Sequence, residues 1–165
     1  MPRKLTVRAV SASLVAVLAL AAPAAGQQDV ERENLAGIRD VNVIVADLAD
    51  DAESAGLTRR GLLDAVEGRL EACGVRLGSS RQAADLYVDV TTHRGATGLY
   101  AYYARVSVQQ LATIEGNQLR AYVDTWDMAS LGTTGGANLP RVAEVVLQIV
   151  DLFCDDYFDV NDPRR

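Results

Sequence analysis

Between Ala84 and Thr134 the chain alternates apolar and polar residues in three successive runs, a pattern that demands antiparallel strands with one face buried. In the first run Leu86, Val88 and Val90 oppose Tyr87, Asp89 and Thr91. In the second, Tyr102, Ala104, Val106 and Val108 alternate with Tyr103, Arg105, Ser107 and Gln109. In the third, Leu119, Ala121, Val123 and Thr125 alternate with Arg120, Tyr122, Asp124 and Trp126. Glu115-Gly116-Asn117 supplies a hairpin turn. Thr92 to Gly98 reads as a flexible loop carrying His93, and the glycine-rich Leu131 to Gly136 as the break that ends the sheet.

Upstream, Val41, Val43, Ile44 and Val45 form a β-branched run suited to a central strand. An acidic loop, 49–56, separates it from a helix opened by Thr58 as N-cap, with Gly61 where a capping box would place Glu or Gln. Leu62, Leu63, Val66 and Leu70 recur at helical spacing, and Gly74 closes the helix. Val75-Arg76-Leu77 follows as a short strand. A last helix is expected from about Asn138 or Leu139 to about Tyr157, with Pro140 in its first turn and a wide apolar stripe through Val142, Val145, Val146, Ile149, Leu152 and Phe153. The element order is β-α-β-β-β-β-α, an α/β (α+β) domain with one mixed sheet and two helices on its apolar face.

Arg3, Lys4 and Arg8, an apolar run over Ala9–Ala22 and the small residues up to Gly26 have the order of a secretory signal peptide. The run is shorter than the ~20 residues a membrane-spanning helix needs. The expected organisation is a leader over 1–26, a loose arm over 27–36, one domain over 37–160 and a tail over 161–165. Its destination would be periplasmic or secreted. Loss of the leader leaves 13 basic against 22 acidic residues, a net −9. That balance lacks the basic stripe that nucleic acid or an anionic membrane surface would require, so neither is an expected partner.

Two strand orders compete, and Cys73 and Cys154 separate them. If strand 75–77 turned straight back into strand 85–92, the helices would run antiparallel and the cysteines would lie on the order of 20 Å apart, too far for a bond. If 79–85 instead crosses behind the sheet, strand 85–92 lies parallel to the 41–47 strand on its other side. The helices then run parallel and both cysteines reach the same end. We take this second arrangement, spatial order 2-1-3-4-5, in which the pair either forms a disulfide or stays as two buried thiols.

Chemistry-bearing motifs are few. His93 is the single histidine, no Gly-x-Ser-x-Gly elbow exists, and one His with two distant Cys cannot assemble a zinc site. Gly132–Gly136 lacks a neighbouring Lys or Arg and fits no phosphate-binding pattern. Asp155, Asp156, Asp159, Asn161 and Asp162 lack the EF-hand spacing. No catalytic, metal or cofactor site is expected. The candidate binding set is Tyr87, Tyr103, Arg105, Tyr122, Asp124 and Trp126, which neighbouring strands would gather on the polar face; aromatics with Arg are the composition of interface anchors. Cross-strand pairing that only stabilises the sheet is the competing reading.

Gly-Leu-Thr at 56–58, Cys-Gly-Val-Arg-Leu at 73–77, Ala-Asp-Leu-Tyr-Val-Asp-Val at 84–90 and Thr-Trp at 125–126 resemble small, uncharacterised exported bacterial α/β proteins. The arrangement also looks like the envelope domain of the Tol–Pal translocation protein and the curli-secretion lipoprotein. The resemblance implies partner binding in the cell envelope; the expected function is a non-enzymatic module that binds a protein or cell-envelope component through the open sheet face, with a structural homo-oligomer or an enzyme of unrecognised class as the alternatives. This chain departs from those proteins in lacking a lipid-anchor cysteine near the leader's end and β-propeller repeats.

Overall fold

The polar and apolar parities of the strands are resolved in a computed structural model that describes residues 25–78 and 83–162. The expected leader lies outside the described residues except for Ala25 and Gly26, which begin helix α1 (Ala25–Glu33). The elements that follow are β1 (Val41–Val45), α2 (Asp50–Ser54), α3 (Arg59–Cys73), β2 (Ala84–Arg94), β3 (Leu99–Thr113), β4 (Arg120–Gly135), a 3-10 turn (Gly136–Arg141) and α4 (Val142–Asn161). They form one open mixed sheet in the order β1-β2-β3-β4. β1 and β2 are parallel, with Val43 opposite Leu86, and the β2–β3 and β3–β4 pairs are antiparallel.

The strand expected at 75–77 shrinks to a single parallel bridge, Val41 to Leu77, on the outer side of β1. Among the described residues only Val41 exchanges backbone bonds there, donating to Arg76 O at 3.0 Å and accepting from Gly78 N at 2.9 Å. The sheet therefore has four strands, but the segment lies on the side of β1 that the crossed arrangement requires.

Local signals at α3 act as read. The Thr58 hydroxyl accepts from Gly61 N at 3.1 Å, and Gly74 caps the other end at φ 92°. A Cβ on Gly61 would lie 2.9 Å from that capping hydroxyl, which explains a glycine where a capping box would carry Glu.

Helices α3 and α4 pack on each other and on the sheet, and α1 contacts both α4 and β4, so these helices share one side. Leu62, Val66 and Leu70 of α3 and Val146, Ile149, Val150 and Phe153 of α4 close over Leu86, Val88, Ala104, Val106 and Val108. The helices bring Cys73 and Cys154 together in a disulfide, with Cα atoms 6.5 Å apart. One turn away, Arg69 donates to both carboxylate oxygens of Asp151 at 2.8 Å.

Four readings are corrected by long-range packing. The arm is not loose: α1 leads into Leu35, which is fully buried. Asn161 holds this turn through Leu35 O at 3.0 Å and Gly37 N at 2.8 Å, while Asn34 reaches Thr125 O at 3.0 Å. The acidic loop contains the one-turn helix α2, anchored by buried Ala52. His93 sits within β2 opposite Ala101, not in a loop. The glycine-rich stretch stays in β4 through Gly135, opposite Leu99, and Gly132 leaves room for the Tyr102 ring, which a Cβ would overlap. The last helix correspondingly begins at Val142, after a 3-10 turn, and runs on to Asn161.

Candidate functional site: the open face of the sheet

The helices cover one side of the sheet, and among the described residues no helix covers the other. Strand alternation places Tyr87, Tyr103, Arg105 and Asp124 on this open side. Tyr87 stands opposite Ser107, Tyr103 opposite Leu131, and Gln109 opposite Asp124. Tyr122, opposite Leu111, has the same orientation but lies where β3 and β4 run on past the start of β2 as a two-stranded ribbon.

Trp126 is the exception and a correction to the expected set. A β-bulge between Val108 and Gln109 leaves Thr125 without a partner, so Trp126 pairs with Val108 and turns to the helix side. The bulge is held by side chains. The Thr125 hydroxyl donates to Val108 O at 3.2 Å and accepts from Gln110 Nε2 at 2.7 Å. Trp126 is 2% exposed, meets Phe153 edge-on at 5.5 Å and donates its indole N–H to Asp156 at 2.9 Å. It is a core residue.

The same bulge brings in residues that uniform alternation hides. Beyond it Asp127, Ala129 and Leu131 face the open side. Arg105 then lies between two carboxylates, with Nε donating to Asp127 at 3.0 Å and Nη2 to Asp124 at 2.8 Å. The sequence signal was a change of apolar parity, from Ala121 and Val123 to Trp126 and Met128.

This trio is the electrostatic centre of the face. The hydrogen bond to Asp127, helped by Asp124, outweighs the partial burial of Arg105 and raises its already high pKa. Burial alone would raise the Asp124 carboxyl. The Arg105 guanidinium, with Gln109 and Ser107, outweighs that and holds it below its ordinary value. Asp85 is tied to Asn42 at 3.0 Å, and Asp89 stands opposite Arg105. The face is thus acidic around one fixed guanidinium, with Tyr103 39% and Leu131 79% exposed beside it.

A depressed carboxyl stabilises the fold above its unfolded pKa and loses that contribution as pH falls through the folded value. Asp124 is therefore expected to weaken the protein only below about pH 4. Arg105→Gln is expected to return its carboxyl toward the ordinary value in a ¹³C titration; an unchanged titration would show that the pairing does not govern it.

Among the described residues no group of three or more His, Cys, Asp or Glu is placed to hold a metal ion, and no helix is long and apolar enough to cross a membrane. No protein-family model matches the chain, and neither does any curated protein. A distant structural match is the solved structure of a minor lipoprotein from Acinetobacter baumannii, 17% identical over 72% of this chain and 87% of that one, with a TM-score of 0.31.

Proposed function

We propose that this chain is an exported, non-enzymatic module that binds a protein or cell-envelope component through the open face of its sheet. The observation that carries the reading is the face that no described helix covers: a guanidinium fixed between Asp124 and Asp127, bordered by exposed Tyr103 and Leu131. Ordered charge beside aromatic and aliphatic anchors is the make-up of an interface centre. Its acidity favours a partner with a basic patch. Export is supported by the Cys73–Cys154 bond, which belongs in an oxidising compartment, and by the leader-like start of the chain.

A second reading, self-association, is favoured by the edge of the sheet. Met128 to Gly135 carries neither charge nor proline, and among the described residues no backbone hydrogen bond reaches the outer side of this edge strand. One experiment separates the two. A photo-crosslinker at Tyr103 is expected to capture an envelope partner that Leu131→Lys releases, whereas a crosslinker at exposed Leu152 on α4 does not capture it. A dimer in sedimentation, dissociated by Leu131→Lys, would support self-association. Identical adducts from both positions would sink the open-face reading.

A further inference from the structure

In so acidic a chain, arginines readily find carboxylates. Arg32, Arg59, Arg60, Arg69, Arg105 and Arg141 each have one within 4.0 Å. Arg94 lies over the Tyr100 ring at 5.9 Å. Arg39, Arg76 and Arg120 have no carboxylate at that distance among the described residues, and all three line the same cleft. The cleft has a volume of about 840 Å³, within the range of small-molecule sites.

Its walls come from distant parts of the chain. Arg39 lies on the approach to β1, Arg76 follows α3, and Arg120 opens β4 on the ribbon that overhangs the start of β2. Arg76 Nε donates to Arg39 O at 3.3 Å, which ties its guanidinium to the backbone on the approach to β1. Leu111 and Tyr122 supply an apolar flank, and Asp40 is the one acidic residue among the described residues of the lining.

We propose that this cleft binds a small organic anion bearing a carboxylate or phosphate group, gripped by Arg39, Arg76 and Arg120. Guanidinium forks match the oxygen geometry of both groups, and a shared cleft lets several act on one ligand. The proposal does not rest on the open-face reading, because Arg39 and Arg76 lie outside that face.

The test is a titration of the full chain with inorganic phosphate and, separately, succinate, at ionic strength fixed by sodium chloride. Arginine Nε–H resonances and the Tyr122 amide are followed by NMR. Saturable shifts at Arg76, Arg120 and Tyr122 are expected with at least one anion, and the preferred anion identifies the head group. Arg76→Gln with Arg120→Gln is expected to weaken binding about tenfold or more. If that double variant loses its folded spectrum, the single Arg39→Gln and Arg120→Gln variants replace it. Shifts that never saturate, that chloride reproduces, or that survive the substitutions would overturn the proposal.

Discussion

Reduction of the Cys73–Cys154 bond, or its removal as the Cys73→Ala/Cys154→Ala variant, is expected to lower the melting temperature by roughly 10–15 °C. The bond spans 81 residues of sequence. Closing a loop of that length restricts the unfolded chain by about 4–5 kcal/mol in the chain-entropy account, and residual structure in the unfolded state reduces what is realised. The effect concentrates at one place, because the bond ties the end of α3 to the middle of α4. The neighbouring Arg69–Asp151 pair is about half exposed, 41% and 48%, and contributes no more than ~1 kcal/mol. Calorimetry with and without a reductant reads the difference, and thiol titration of the unreduced protein should find no free cysteine. A melting temperature indifferent to reductant, or two titratable thiols, would remove both the bridge and its support for an oxidising compartment.

That bond also shows where sequence reasoning reaches three dimensions. The requirement that two cysteines meet selects between parallel and antiparallel helices, and hence places β2 beside β1. Alternation through Leu86, Val88 and Val90, and through Ala104, Val106 and Val108, correctly assigned the buried face because β2 and β3 stay in register. Thr58 and Gly74 marked the ends of α3 because capping is local chemistry.

What escaped depends on partners far away in sequence. Leu35 and Asn34 look like loop residues until α4 supplies Asn161 and the bulge supplies Thr125 O. Gly132 looks like a breaker until the Tyr102 ring fills the space beside it. Val75–Leu77 has strand composition, but its pairing with β1 is confined to the bridge at Val41. In the candidate site, Tyr87, Tyr103, Arg105 and Asp124 follow from period-two reasoning, whereas Asp127 and Leu131 require the bulge. One extra residue in one strand reverses every side chain beyond it.

The bulge yields the second large prediction, a contrast between two aromatic residues that uniform alternation would treat alike. Trp126→Ala is expected to destabilise by about 3–5 kcal/mol, because it empties a site enclosed by Phe153 and strands the Asp156 carboxylate. Tyr103→Ala, on the open face, is expected to cost about 1 kcal/mol or less. Trp126 is the protein's single tryptophan, so unfolding of its Ala variant must be followed by far-ultraviolet circular dichroism. In the parent protein its fluorescence is expected to be blue-shifted and to move red on unfolding. Trp126→Phe should recover part of the loss, since it restores bulk but not the indole donor. Comparable urea midpoints for the Trp126→Ala and Tyr103→Ala variants would mean that both side chains share the solvent face and that β4 lacks its bulge. Loss of partner capture in Tyr103→Ala with stability retained, against loss of stability in Trp126→Ala, would separate the binding face from the core within one strand pair.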